Sequence, residues 1–422
     1  MVTTNPDVIE SPAIAKLRDE LGSNTDALAA FWAEVATHGA PLFEAYDEET
    51  RTWLVTFVWR EDGPTENVVL LEWVRPIDFP AKVMTHLPGT DLWYASIRMF
   101  ESVRTQYGFA PNDNLVPKRE ETDWEARRAK WTTDPFNPET VIDPDSPALQ
   151  ALRSWQSAVL SLPSAKPQPW IVRRDEVIRG EVTEHTFAGE ILGNERQIWL
   201  YKHPDAAGTV PLLVQFDGDG HADIFRTPTV LDNLVADGAI PPLVAIFVGN
   251  VDRGEELPCN ADFVRMLSTE LVPWALNELD VRTTADLTVA NGVSYGGLAA
   301  MFAGLTAPET FGLVASQSGS FWWKPNPMDY SRTIGVTDEY QWLPTQVVDW
   351  PQADIRIWME AGTLEGRGFQ DFTPTLLDSN RHMRNVLRAR GYDVTYREFD
   401  GGHDYSVWRD SQADALIHLL GK

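Results

Sequence analysis

The second half of the chain alternates short apolar segments with segments of helical length, and this alternation constrains the fold more than any other feature. Six segments have the apolar and β-branched composition of buried strands: Pro211–Phe216, Leu243–Val248, Leu287–Asn291, Leu313–Gln317, Ile355–Glu360 and Val394–Phe399. Helices are predicted at Ala261–Leu279, Gly297–Thr306 and Pro374–Arg390. Such alternation predicts a parallel sheet covered on both faces by helices, with ligands at the carboxyl ends of the strands.

The first third of the chain has a different pattern. Asp26–Thr37 has the apolar spacing of an amphipathic helix. Four segments after it mix alternating polarity with β-branched and aromatic residues: Arg51–Arg60, Val68–Val74, Leu92–Phe100 and Arg104–Ala110. Short strands separated by turns at this spacing predict a small β-sandwich.

Prolines are concentrated between these two regions, in Thr132–Pro138 and Leu162–Trp170. Because proline fixes φ and lacks an amide donor, such a stretch suits an exposed connector better than a core element. We therefore predict three parts: an N-terminal β-sandwich domain over residues 1–131, a proline-rich linker over 132–170, and an α/β domain over 171–422.

The net charge of the chain restricts the kinds of partner that it can bind. The 422 residues include 35 Lys and Arg against 62 Asp and Glu, which gives a formal charge of −27. Nucleic acids and anionic membrane surfaces attract basic faces, so we expect neither as a partner.

With a single cysteine, Cys259, and a start that lacks a basic and then apolar leader, a cytoplasmic location is expected. The composition leaves the oligomeric state open.

The sequence Gly292-Val293-Ser294-Tyr295-Gly296 has the G-x-S-x-G pattern. Average glycine and serine usage produces this pattern by chance in about one chain in ten of this length. Its setting is more specific, because a predicted strand precedes it and the small-residue segment Gly297–Gly304 follows. Strand, turn and helix in this order form a nucleophile elbow, which leaves the serine oxygen exposed. Ser294 is therefore the predicted nucleophile.

A serine hydroxyl needs a base to take its proton. His403, in Asp400-Gly401-Gly402-His403-Asp404, follows the last predicted strand and is expected at the same edge of the sheet as Ser294. The acid that orients the imidazole is expected after the penultimate strand, where Glu365 is the first choice and Asp371 the main alternative. Nucleophile, acid and base then follow in the order of α/β-hydrolases, so we predict an α/β-hydrolase catalytic domain.

Two backbone amides must stabilise the oxyanion that forms when a carbonyl is attacked. The amide of Tyr295 is the first candidate, because this residue directly follows the nucleophile. The second is expected in the glycine-rich loop Asp217–His221, where Gly218 and Asp219 are the candidates.

Several segments resemble the enterochelin (enterobactin) esterase family, whose members hydrolyse catecholate siderophores. In the C-terminal half they are Glu256–Phe263 with Glu270-Leu271, Ser316–Trp323, Glu360-Ala361-Gly362, and Gly401–Asp404 with Trp408-Arg409. In the N-terminal half they are Leu87–Tyr94 and Ala110–Asp113. The resemblance therefore covers nearly the whole chain.

The resemblance implies a cytoplasmic esterase that cleaves the serine-derived trilactone backbone of an imported ferric siderophore, so that iron is released. It implies Ser294 as nucleophile and His403 as base, and Glu365 falls where the acid is expected. No cofactor is implied, since iron arrives with the substrate. The loops Leu364–Gly368 and Asp217–Gly220 depart from the family pattern, which leaves the acid and the substrate preference open.

A ferric tris-catecholate is an aromatic anion, so binding it to an acidic protein requires local aromatic and basic groups. Trp322, Trp323 and Lys324 follow a predicted strand, although the two aromatic rings suit core packing equally well. Further candidates for the substrate site are Arg226, Arg253, Arg367 and Trp408. For each arginine the alternative is an ion pair within the protein, for example between Arg253 and Glu256.

We expect the N-terminal domain to cap the active site, with a fold-stabilising appendage or a carbohydrate-binding module as alternatives. Two other functions stay open: a feruloyl or acetyl carboxylesterase on the same hydrolase core, and a siderophore-binding protein without catalysis. The identity of the trilactone, its iron-loaded or iron-free state and the extent of hydrolysis are left to experiment.

Overall fold

The computed structural model describes residues 11–72, 74, 79–118, 120–142, 146, 156–325, 341–366 and 374–421. The chain divides into two compact units. The first comprises Met1–Lys166 together with Asp400–Ser406, and the second comprises Pro167–Phe399 together with Val407–Lys422. Within the described ranges, no helix combines the length and the apolar character needed to cross a bilayer.

The first unit is built mainly of strands. Its helices are α1 (Pro12–Glu20), α2 (Ala27–His38) and α3 (Trp124–Arg128). Its strands are β1 (Leu42–Asp47), β2 (Thr52–Arg60), β3 (Val68–Glu72), β4 (Thr85–His86), β5 (Leu92–Phe100), β6 (Arg104–Pro111) and β7 (Ala158–Ser161). They form two antiparallel sheets, with the strand orders β1-β2-β5-β4 and β3-β6-β7.

The two sheets of the first unit pack through aromatic side chains. Phe57 on β2 contacts Tyr107 on β6 with ring centroids 4.9 Å apart, and Trp59 contacts Phe109 at 5.2 Å. All four side chains are buried. Because the inward-facing residues of both sheets form one core, the unit is a small β-sandwich, as the strand pattern predicts.

The segment 132–170, interpreted above as a linker, takes part in this sandwich. Strand β7 lies in a proline-free stretch of it and pairs with β6. Val141 and Ile142 of the same segment are fully buried. The prolines therefore interrupt regular structure here without keeping the segment out of the core.

The second unit contains the longer helices. They are α4 (Thr227–Ala236), α5 (Arg253–Glu256), α6 (Ala261–Met266), α7 (Val272–Glu278), α8 (Tyr295–Thr306), α9 (Trp342–Asp349), α10 (Leu376–Ala389) and α11 (Tyr405–Leu420). Its strands are β8 (Glu181–Gly189), β9 (Asn194–Lys202), β10 (Gly208–Thr209), β11 (Leu212–Gln215), β12 (Val244–Val248), β13 (Val281–Arg282), β14 (Thr288–Val293), β15 (Leu313–Gln317), β16 (Arg356–Gly362) and β17 (Asp393–Phe399). One π-helical turn, Leu267–Leu271, joins α6 to α7, so the predicted helix Ala261–Leu279 is continuous but irregular.

Eight strands of the second unit form one sheet in the order β17-β16-β15-β14-β11-β12-β9-β8. The six strands predicted from the sequence pair in parallel, as expected. β8 and β9 add an antiparallel hairpin at one edge, which is not among the strands predicted from the sequence. Most side chains of β8 are exposed, so this strand lacks the apolar run that marks the others.

Apolar side chains cover both faces of this sheet. Successive residues of β11 enter different cores: Val214 packs with Leu298 of α8, and Leu213 packs with Val230 of α4 and Leu416 of α11. Burial on both faces explains why the central strands are apolar throughout rather than alternating. The fold is the α/β-hydrolase arrangement predicted for this part of the chain, and it fixes the strand ends that carry the candidate site.

Candidate active site

The backbone around Ser294 makes the turn expected of a nucleophile elbow. β14 ends at Val293 and α8 begins at Tyr295, so Ser294 alone connects strand to helix. Its φ of 56° and ψ of −119° lie in a region that residues other than glycine rarely adopt. Its side chain is half-buried. A strained turn of this kind directs a serine hydroxyl away from both flanking elements.

Close packing requires two of the glycines at this turn and leaves little room at a third. A Cβ at Gly292 would lie 2.4 Å from the carbonyl carbon of Gly296, and one at Gly297 would lie 2.9 Å from the Oγ of Ser316. A Cβ at Gly296 would lie 3.2 Å from the Oδ2 of Asp217. The G-x-S-x-G-G sequence is therefore a steric condition for the turn.

Strand β15 and the residues after it hold Ser294. The amide of Ser294 donates to the carbonyl oxygen of Gln317 at 3.0 Å, and the amide of Ser320 donates to the carbonyl oxygen of Ser294 at 3.0 Å. The two serine Oγ atoms are 3.3 Å apart, within hydrogen-bonding distance. Ser320 is buried and was assigned no role in the sequence analysis. It is the neighbour from which the nucleophile must be distinguished by experiment.

The loop after β11 supplies the candidate oxyanion amides. Asp217 adopts a left-handed conformation with a φ of 55°, and Gly218–Gly220 forms one 3-10 turn. A Cβ at Gly218 would lie 2.5 Å from the backbone of Phe247, so only glycine lets the loop approach β12 this closely. The first amides of a helical turn lack partners within the turn, which suits the amides of Gly218 and Asp219 to the predicted role.

Arg253 connects this loop to the residue after the nucleophile. Its Nε and Nη2 donate to the two carboxylate oxygens of Asp217 at 2.6 and 2.9 Å. Its guanidinium carbon lies 5.6 Å from the ring centroid of Tyr295, close enough for a cation–π contact. The structure pairs Glu256, suggested above as a partner of Arg253, with Arg196 at 2.8 Å.

Glu365 lies in the 3-10 turn that follows β16 and is only 1% exposed. One of its carboxylate oxygens accepts a hydrogen bond from the amide of Gly362 at 2.8 Å. A carboxylate this buried requires hydrogen-bonding partners, which is the environment of an orienting acid rather than of a solvated loop residue. Arg367 and the alternative acid Asp371 lie outside the described residues.

A buried carboxylate, Glu360, fixes the end of β16. It accepts hydrogen bonds from the Nε2 of Gln317 at 3.1 Å, from the Nε of Arg397 at 2.9 Å and from the hydroxyl of Ser411. Burial raises the pKa of Glu360 above its usual range, while Arg397 acts in the opposite direction. Because the carbonyl of Gln317 also holds the amide of Ser294, this network stabilises the strand ends beneath the elbow.

His403 lies between β17 and α11, in the short stretch Asp400–Ser406 that groups with the first unit. Its side chain is half-buried, and the next side chain, Asp404, is 1% exposed. Thr105 of β6 donates its hydroxyl to the carboxylate of Asp404 at 2.9 Å. Burial raises the pKa of Asp404 to about 6. The pairing of His403 with Ser294 and Glu365 stays a prediction.

The three candidate tryptophans differ in exposure. Trp322 is 7% exposed, and its ring centroid lies 5.9 Å from that of Tyr295. Trp408 is 2% exposed and donates from Nε1 to the Oγ of Ser318 at 3.1 Å. Trp323 is half-buried and packs edge-on against Trp342. Burial of Trp322 and Trp408 favours core packing over contact with a ligand.

Two basic candidates, Lys324 and Arg226, are half-buried. Lys324 directly follows the tryptophan pair, and Arg226 has a left-handed φ of 53° at the start of α4. Each has an interaction within the protein. Contact of either with a substrate stays a prediction.

Two protein families match the chain. Putative esterases match residues 189–419, and the N-terminal domain of enterochelin esterases matches residues 54–171. The first match covers seven of the eight strands of the large sheet, with Ser294, and the second covers most strands of the sandwich.

Individual relatives match over most of their length. An iron(III) enterobactin esterase of Dickeya dadantii is 32% identical over 93% of this chain and 92% of its own. That of Escherichia coli O6:H1 is 30% identical, over 86% of this chain and 90% of its own. The crystal structure of the enterobactin esterase from Shigella flexneri in the presence of enterobactin has a TM-score of 0.73 at 27% identity, covering 92% of this chain and 97% of that one.

Proposed function

This chain belongs to the enterobactin esterase family, and from that premise we propose that it is a serine esterase that hydrolyses the trilactone backbone of a catecholate siderophore. The supporting observation is that similarity to such esterases extends over both units, including the N-terminal domain. A feruloyl or acetyl carboxylesterase would account for the hydrolase core alone. A binding protein without catalysis would not need the strained backbone of Ser294.

In the proposed mechanism His403 removes the proton of the Ser294 hydroxyl as Oγ attacks a lactone carbonyl. The backbone amides of Tyr295 and Gly218 or Asp219 donate to the resulting oxyanion. As the ester C–O bond breaks, His403 gives the proton to the departing alkoxide, and an acyl-enzyme remains. Glu365 holds the imidazole in the required orientation.

Water then attacks the acyl-enzyme carbonyl as His403 takes one of its protons. The bond to the Oγ of Ser294 breaks, His403 returns the proton to that oxygen, and the product carboxylate leaves. One such cycle opens the ring to the linear trimer, and further cycles give dimer and monomer. Iron enters as part of the substrate and no resident cofactor takes part. We place this reaction in the cytoplasm, in agreement with the low cysteine content.

The experiment compares Ser294→Ala with Ser320→Ala, because these two hydroxyls lie 3.3 Å apart. Ferric enterobactin is incubated with each protein and the products are separated by chromatography. Loss of the nucleophile is expected to lower kcat about 10³-fold or more, whereas loss of the neighbouring hydroxyl is expected to cost less than about tenfold.

Comparable turnover by wild type and Ser294→Ala would refute the assignment, and the reverse pattern would assign the nucleophile to Ser320. Methyl ferulate serves as the second substrate. Its hydrolysis with a higher kcat/KM than that of ferric enterobactin would favour the carboxylesterase function instead.

A further inference from the structure

The stretch that carries His403 folds with residues very distant from it in sequence. Residues 400–406 connect β17 to α11 of the second unit, yet they group with the N-terminal sandwich. The hydrogen bond between Thr105 and Asp404 joins residues 299 positions apart. We call residues 400–406 the histidine loop.

Strand β6 holds the histidine loop just after His403. The hydroxyl of Thr105 donates to the Oδ2 of Asp404 at 2.9 Å. The side-chain oxygen of the next residue, Gln106, accepts a hydrogen bond from the amide of Tyr405 at 2.7 Å. Two successive residues of one strand therefore fix the two residues that follow His403.

The start of the histidine loop is held by the residues that lead into β6. The hydroxyl of Ser102 donates to the carboxylate of Asp400, and the amide of Arg104 donates to the carbonyl oxygen of Asp400 at 3.2 Å. Since both sides of His403 are tied to the same strand, few backbone conformations remain open to the histidine itself.

The contact at Asp404 is also buried. Thr105 is 0% and Asp404 1% exposed. The other carboxylate oxygen, Oδ1, accepts from the amide of Ser406 at 3.0 Å and from its hydroxyl. Removing the Thr105 hydroxyl would leave the carboxylate with one donor fewer, beside the backbone of Gln106 and the two groups of Ser406, and a buried charge that loses a partner is strongly unfavourable. The loop would then shift to restore a partner.

Resting on the function proposed above, we propose that Thr105 and Gln106 of the N-terminal sandwich are positioning residues for His403. The sandwich then contributes to hydrolysis of every ester substrate, because the base must be held within a fraction of an ångström of its working position. A domain that only caps the site would matter for a bulky siderophore and little for a small ester.

The test uses the full-length protein and p-nitrophenyl acetate. Thr105→Val removes the hydroxyl and keeps the shape, and Thr105→Ser restores a hydroxyl. The matched control is Thr56→Val: Thr56 is also 0% exposed in the same unit, and its hydroxyl donates to the carboxylate of Glu44. This control loses a hydrogen bond from a fully buried threonine to a half-buried carboxylate, away from the histidine loop.

We expect Thr105→Val to lower kcat at least about tenfold with KM changed less than about twofold, and Thr105→Ser to recover to within about threefold of wild type. Thr56→Val should keep kcat within about twofold of wild type. If Thr105→Val and Thr56→Val have the same kcat, the positioning role is wrong and Thr105 is an ordinary core residue.

A second readout does not depend on turnover. In protein labelled with ¹⁵N-histidine, we expect the ring signals of His403 to broaden or shift in Thr105→Val and not in Thr56→Val; unchanged signals in both would overturn the proposal. A wild type that hydrolyses p-nitrophenyl acetate but not ferric enterobactin would contradict only the proposed substrate. Failure of the proposed function can therefore be distinguished from failure of the positioning role.

Discussion

The nucleophile elbow and the histidine loop are held in different ways. The turn at Ser294 is shaped by the backbone packing of Gly292 against Gly296, residues within the same short motif. The loop at His403 is held by hydrogen bonds to Thr105 and Gln106 of β6, which lie 299 positions from their partners in sequence. The turn at one half of the proposed catalytic pair is thus shaped mainly by steric contacts within its own motif, whereas the loop at the other half depends on residues far away in sequence.

This difference has consequences for mutation. A turn shaped within its own motif is most sensitive to its own residues, although β15 also holds its backbone. A loop held by distant partners fails when those partners change, although they carry no catalytic chemistry. The N-terminal sandwich is accordingly a place where substitutions can affect catalysis without contact with substrate.

The largest effect is expected at the elbow itself. In Gly292→Ala the new Cβ would lie 2.4 Å from the backbone of Gly296, so the turn must open. We expect kcat for p-nitrophenyl acetate to fall about 10³-fold or more, because the nucleophile and the Tyr295 amide both move. Gly63→Ala is the control, since a Cβ there meets nothing within 4 Å. Near-normal activity of Gly292→Ala would show that the turn is not sterically determined.

The next effect concerns the buried carboxylate of the histidine loop. Burial raises the pKa of Asp404 from 3.8 to about 6, so the folded protein binds this proton more tightly than the unfolded chain. The free energy of unfolding should therefore fall as pH rises from about 4 to about 6, by up to about 3 kcal/mol from this group.

Asp404→Asn removes this titration. Urea unfolding at pH 4 and pH 7 should show wild type losing about 3 kcal/mol more stability than the variant over that interval. Parallel pH profiles for the two proteins would mean that Asp404 titrates normally and that the histidine loop does not bury a charge.

The smallest effect is expected at Arg253. Its contacts are neither within one short motif, as at the elbow, nor as distant in sequence as those of the histidine loop, because it joins neighbouring loops of one unit. Arg253→Met removes the bidentate pair with Asp217 and leaves that carboxylate beside the oxyanion loop. If the role is to hold this loop, kcat for p-nitrophenyl acetate should fall roughly tenfold, about 1.4 kcal/mol, with KM little changed.

If Arg253 instead binds the anionic substrate, the pattern is reversed. KM for ferric enterobactin should then rise while kinetics with the neutral ester stay as in wild type. Arg253→Lys sharpens the comparison, because lysine keeps the charge but not the bidentate geometry. Full rescue by lysine would contradict the positioning role.

The sequence predicted the elements that have a recognisable residue pattern. The six parallel strands and the helix that begins at Tyr295 are each marked by an apolar run or by small residues next to the elbow. The hairpin of β8 and β9 was missed because β8 is exposed along most of its length. β7 was missed because the surrounding prolines suggest a connector.

Side-chain partners were predicted less well than elements. Trp322 and Trp408 have the residue type of a catechol-binding surface, yet both are buried. Arg253 has Glu256 three positions away, yet its bidentate partner is Asp217 on another loop. Residue type and spacing indicate what a side chain can do, whereas burial and chain path decide which partner it has.

Taken alone, the sequence determined the sandwich, the parallel sheet and the serine at a strand-to-helix turn, because periodic burial and steric exclusion between near neighbours leave a pattern in the residues themselves. Only the tertiary structure decided that the segment with His403 packs with β6. A hydrogen bond between residues 299 positions apart depends on the path of the whole chain and leaves no local pattern at either end.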